Sequence, residues 1–199
     1  QSGKISGGFA PCGGGILVDG KSKLFMNGGV ITENFAYEGA GIYIGKGSKA
    51  RLWGVSISRN NYGNLTDSGE MDGTKPDPAI IKSGAKTVYG GGISVAAGGT
   101  CEVKNCNIHE NASGDGGGIG NAGKITIEDS EIGNNILYQV HEECGEGAGI
   151  HSTGNTAMVN TKIVENGGEA ENGGGIANYG AMTMEDCTVA NNTDRKSVV

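Results

Sequence analysis

The tetrapeptide Gly-[Gly/Ala]-Gly-Ile occurs six times in this chain, at 13–16, 39–42, 90–93, 116–119, 147–150 and 173–176, and each copy is answered downstream by an [Ile/Val]-x-x-Asn. Counted from the Ile, the second mark ends at position +18 in the first three copies, at Asn34, Asn60 and Asn111, and at position +16 in the last three, at Asn135, Asn166 and Asn192. Successive Ile are 26, 51, 26, 31 and 26 apart, so the chain repeats with a period of 26, with insertions in two places. Such a chain folds as a stack of like units, because one short unit has too little apolar surface to bury its inner face alone.

Within a unit the apolar residues alternate. Between Ile119 and Asn135 they fall at Ile125/Ile127 and Ile132, separated by polar or small residues. A period of two is that of a strand, and no window carries a helical stripe. Three short strands emerge per unit, at Gly-Gly-Ile, Ile-x-Ile and Ser-x-Ile, with Gly, Glu-Asp and Asn at the corners. Gly makes up 40 of 199 residues and Pro only three, without the every-third spacing of collagen. Aromatics are 5%, so the core must be thin.

Aligning the units turns rows into columns: Ile16, Ile42, Ile93, Ile119, Ile150, Ile176; Met26, Leu52, Val103, Ile127, Met158, Met184; Ile31, Ile57, Ile108, Ile132, Ile163, Val189; and the small set Gly29, Val55, Cys106, Ser130, Thr161, Cys187. Strands laid on those of the preceding turn, about 4.8 Å away, stack such side chains one over another. The fold class predicted is all-β, a right-handed parallel β-helix of about six rungs with three short strands per rung. The corner asparagines are expected to take the left-handed backbone conformation and to hydrogen-bond up the stack. The whole chain, 1–199, reads as one β-helix domain with insertions at 61–89 and 136–146. Incomplete rungs at both ends suggest a piece of a longer protein, with end-to-end association through uncapped ends as an expected mode of contact.

Charge is −7 overall and uneven: residues 1–100 hold ten Lys/Arg against seven Asp/Glu, residues 101–199 five against fifteen. That balance argues against nucleic acid or an anionic membrane as the main partner. No apolar run reaches the roughly 20 residues of a membrane span, so no membrane insertion is expected.

The paired GG[A/G]I and [I/V]xxN tetrapeptides resemble the repeats of chlamydial polymorphic outer membrane proteins and of related right-handed β-helix surface proteins in other bacteria, with Ile or Val where those repeats usually carry Phe. The resemblance covers Gly13 to Asn192. It implies an adhesin-type module, extracellular or on a bacterial cell surface, that binds a host protein or glycan.

Length variation falls at one corner. The connections from the corner Asn to the next Gly run are 35–38, 61–89, 112–115, 136–146 and 167–172, so the two long ones should project from one edge. The first carries Tyr62, Asp67, Glu70, Asp72 and Asp77, the second Tyr138, His141, Glu142 and Glu143; together they are the candidate binding residues. Two alternatives stand beside this reading: a polysaccharide lyase or glycoside hydrolase fragment, or a spacer with no ligand. The segment 61–89 also reads as an extra, degenerate rung. The balance leans away from an enzyme, since no repeated Asp pair and no DxDxDG calcium loop occurs, and no catalytic residue, metal or cofactor is assigned.

A further column, Cys12, Glu38, Tyr89, Asp115, Glu146, Asn172, makes Asp115 and Glu146 neighbours; their carboxylates are expected to diverge into solvent, with a calcium ion between them as the alternative. His109 and His151, beside inward Ile108 and Ile150, are expected to be lone surface groups. Of the five cysteines, Cys101, Cys106 and Cys187 read as buried fillers; Cys12 and Cys144 lie near corners, and Cys144 is the candidate reactive thiol.

Overall fold

A computed structural model describes residues 3–61, 89–137, 145–168 and 170–193. The alternating residues form strands that assemble into three parallel sheets wound around one axis. The first sheet stacks Ile16–Val18, Ile42–Ile44, Ile93–Val95, Ile119–Asn121, Ile150–Ser152 and Ile176–Asn178. The second stacks Lys23–Asn27, Lys49–Trp53, Thr100–Lys104, Lys124–Glu128, Asn155–Val159 and Ala181–Glu185. The third begins one rung earlier, with Lys4–Ser6, and continues through Val30–Thr32, Ser56–Ser58, Asn107–His109, Glu131–Gly133, Lys162–Val164 and Thr188–Ala190. Ile5 thereby adds a seventh member to the third-sheet column, paired with Ile31.

Register follows the sequence columns residue for residue. Ile42 pairs with Ile93, Ile93 with Ile119 and Ile119 with Ile150 in the first sheet. Leu52 pairs with Val103 and Val103 with Ile127 in the second. A one-residue slip in any pair would turn its aliphatic set outward, so burial of one face locks the alignment. The strands of rungs two and three pair directly, Ile57 against Ile108, so no further rung lies between them.

The corners correct one expectation. The ladder asparagines do not take the left-handed conformation; the residue before each does. Glu33, Arg59, Glu110, Asn134, Glu165 and Asn191 have φ between 53° and 57°. That placement points Asn34, Asn60, Asn111, Asn135, Asn166 and Asn192 into the body. From Asn34 to Asn166 each Nδ2 donates to the Oδ1 of the next Asn at 2.9–3.0 Å, and all six also donate to the carbonyl of an Ile one rung back. From Asn60 to Asn192 the Oδ1 accepts a second bond from the preceding Asn backbone N–H, so the amides of Asn60, Asn111, Asn135 and Asn166 are fully used.

The ladder explains the third Gly of the repeat. A Cβ on Gly118 would lie 2.9 Å from Asn135 Nδ2 and 2.7 Å from the Gly149 carbonyl, and Gly92 and Gly149 stand comparably close to their own ladder amides. The two halves of the repeat are thus one device, the Gly making room for the Asn. The small column works at a second corner. Ser130 Oγ donates to the Glu128 carbonyl, Thr161 Oγ1 to that of Val159, and the Cys106 and Cys187 thiols reach Lys104 and Glu185 in the same way. These cysteines close turns as a hydroxyl does.

Beyond three strands per rung, the last rungs add short parallel pairs after the ladder, at Ala112–Ser113, Ile136–Leu137 and Gly167–Gly168, and at Gly145–Glu146 with Ala170–Asn172. Leu137, Ala148 and Ala170 bury a second, smaller apolar cluster there.

Candidate functional site

The drop from +18 to +16 between the two marks has a physical origin. In rungs one to three the turn between first and second sheets is long, with Gly20, Lys21, Gly47 and Gly98 at positive φ. In rungs four to six it is shortened by two, and an inward apolar position (Val18, Ile44, Val95) becomes Asn121, Ser152 or Asn178. Asn121 Oδ1 accepts from the Gly123 N–H, closing the tight turn, while its Nδ2 donates to Ser152 Oγ and Thr156 Oγ1. Asn178 and Gly180 repeat the turn.

At the step between long and short turns the outer face of the first sheet is hollow. Its outward column reads Leu17, Tyr43, Ser94, Gly120, His151, Ala177, and the small pair Ser94 and Gly120 forms the floor of a cleft of about 300 Å³. Ala96, Ala97, Asn121 and Thr153 line one side, and Glu38, Tyr89 and His151 the other.

His151 is not the lone surface group its position suggests. It is 6% exposed, because the bare backbone of Gly120 lets Tyr89 reach it from two rungs away. The Tyr89 and Tyr179 rings flank the imidazole at 5.5 and 5.8 Å between centroids. Nε2 lies 3.5 Å from Glu146 Oε2. Glu146 Oε1 accepts from Tyr179 Oη and Asn172 Nδ2, both at 2.7 Å. Partial burial by itself raises the Glu146 pKa, but the bonds from Tyr179 and Asn172 and the adjacent imidazole outweigh it, leaving the carboxyl below its ordinary value. His109, by contrast, is half-buried with Nε2 3.5 Å from Ser56 Oγ.

The corner column stacks as aligned, Glu38 bridging Cys12 and Tyr89, and Tyr89 bridging Asp115. Its carboxylates do not diverge into solvent. Asp115 Oδ1 accepts from the Glu146 backbone N–H at 2.9 Å while the Glu146 side chain turns to the tyrosine and histidine, so the neighbouring charges are held apart by donors. Among the described residues no three His, Cys, Asp or Glu come together as a metal set.

A family model for the right-handed beta helix region matches residues 91–197, more than half of the chain. The chain belongs to the right-handed β-helix family. The parallel, stacked sheets fit that family. No curated protein and no solved structure matches the chain.

In this β-helix the nine expected binding residues, Tyr62, Asp67, Glu70, Asp72, Asp77, Tyr138, His141, Glu142 and Glu143, lie outside the described residues, as does Cys144. What is described is where the insertions rejoin the body: Tyr89 is the last residue of the first, and Gly145 and Glu146 are the last two of the second. Sequence reasoning missed the cleft, although its signals were present in the Ser94 and Gly120 column and in the change of spacing between the two marks. The described cysteines are free thiols. Burial first, then the Glu38 and Asp19 carboxylates, push the Cys12 pKa up, and burial does the same to Cys101 and Cys106.

Proposed function

We propose that this β-helix is a binding module of an extracellular or bacterial cell-surface protein, adhesin-like in the manner of the polymorphic outer membrane protein repeats it resembles. It holds a host glycan or protein along the edge where its long insertions rejoin the body. The observation that carries this reading is the meeting of both insertion ends with the cleft: Tyr89 lines it, and Glu146 anchors His151 on its wall. Tyr and His rings beside a carboxylate offer stacking surface and hydrogen-bond acceptors to a polar ligand. Binding is favoured over glycoside hydrolysis because Glu38 is the one carboxylate lining the cleft among the described residues, whereas hydrolysis ordinarily uses two across the scissile bond.

The test is a glycan and protein array probed with three proteins: the intact chain, Tyr89→Ala, and a variant whose residues 62–88 are replaced by two residues, matching the four-residue Phe35–Glu38 connection. Both variants should fold and lose the signal of the intact chain. Equal signal from all three contradicts the proposal and leaves the spacer reading; turnover of an anionic glycan by the intact chain would favour the enzyme.

A further inference from the structure

Lys23 and Lys49 pair directly in register on the outer face of the second sheet. Like charges placed opposite each other across a strand pair are destabilising, and no ion pair joins either lysine to a carboxylate among the described residues. Lys21 and Lys46 stand in the turn beside them, each stem packed against the glycine of the following rung, Gly47 and Gly98.

The same face carries the chain's single tryptophan and one of its three phenylalanines. Phe25 and Trp53 meet edge to face at 5.2 Å with 83° between the rings, yet they are 58% and 40% exposed. In a protein with 5% aromatic residues, placing two of them on a solvent face next to unpaired cations calls for a ligand. Residues 3–61 hold seven Lys/Arg and three acids, and none of those acids faces this sheet: Glu33 pairs with Lys4 on the third sheet, Glu38 lines the cleft, and Asp19 sits over Gly45 in the turn. From the third rung on, Glu102, Glu128 and Glu185 bring negative charge back to the face. The basic, aromatic patch is therefore bounded.

We propose that the outer face of the Lys23–Asn27 and Lys49–Trp53 strands is a binding site for an anionic polysaccharide, separate from the cleft and independent of it. The aromatic pair covers the C–H face of a sugar ring, and Lys23 and Lys49, with Lys21 and Lys46 at the rim, take the carboxylates or sulfates of neighbouring units. Charge complementarity selects the occupant. Nucleic acid is the less suited polyanion: the guanidinium here, Arg51, is already bound to Glu102 at 2.8 Å, leaving lysine point charges and no free fork for phosphate.

Because Trp53 is the sole tryptophan, its fluorescence reports this site alone. The intact chain is titrated at low salt with polygalacturonate, dextran sulfate, neutral dextran and a single-stranded oligothymidylate. A saturable emission change is expected with polygalacturonate (carboxylate) or dextran sulfate (sulfate), whichever anion the site prefers, and none with neutral dextran. Lys23→Gln with Lys49→Gln should weaken it tenfold or more, and Phe25→Ala, at an exposed position that keeps the reporter, should weaken it severalfold. Lys162→Gln on the third sheet should leave it unchanged. The proposal is overturned if neither anionic polymer moves the emission, if Lys162→Gln costs as much as the double variant, or if the oligonucleotide binds more tightly than both polymers. It is equally overturned if sedimentation shows self-association that the double variant abolishes, since the occupant is then a second copy.

Discussion

Asn111 is fully buried, and its side chain makes four hydrogen bonds: it accepts from the backbone N–H and side-chain amide of Asn60 and donates to Asn135 Oδ1 and the Ile57 carbonyl. Truncation strands polar groups on both neighbouring rungs at once. Asn111→Ala should therefore cost about 2–4 kcal/mol, above the roughly 1 kcal/mol typical of one hydrogen bond, read as a lowered urea midpoint. Gly118→Ala should cost about 1–3 kcal/mol by pushing into the same ladder from outside. Sequence made half of this legible. Six asparagines at one corner announced a ladder, but the left-handed residue was placed one position late, since Glu and Arg at 33, 59, 110 and 165 are not residues that advertise positive φ. The repeat forces them there because the following Asn must point inward.

At the scale of strands and turns, what was legible is whatever recurs at one period. The Ile columns repeat six times and appear in the register unchanged. The His151 environment was not legible, because it draws on Tyr89, Glu146 and Tyr179 from three rungs and depends on what Gly120 lacks. The cluster predicts a pH response. The Glu146 pKa is depressed in the folded state, so its stabilising contribution is complete above the ordinary value of 4.5 and is lost as pH falls through the lower folded value. The melting temperature of the intact chain should exceed that of Glu146→Gln at pH 6, with the gap closing below pH about 4. A gap that persists at low pH would mean that the amide fails for steric rather than ionic reasons.

Along the whole molecule the strands of each rung pair only with those of its neighbours, so stability is close to a sum of rung and interface terms graded from middle to ends. Ile108, Ile132 and Ile163 are completely buried while Val189, last in that column, is 49% exposed. Amide exchange should be slowest in rungs three to five and fastest at Thr188–Ala190, as mass spectrometry of peptic fragments would report. The uneven charge noted in the sequence acquires a location at this scale: the basic excess faces outward on rungs one and two, the acidic excess follows it along the axis.

Superposition of coils is the claim beneath the cleft, the ladder and the basic face alike, and methyl-methyl nuclear Overhauser contacts in a selectively labelled chain test it most directly. Cross-peaks are predicted for Ile42–Ile93, Ile93–Ile119 and Ile119–Ile150, pairs far apart in sequence, with no direct peak between Ile42 and Ile119. Isoleucines of successive repeats without mutual contacts, or in contact with residues outside their own column, would contradict the account.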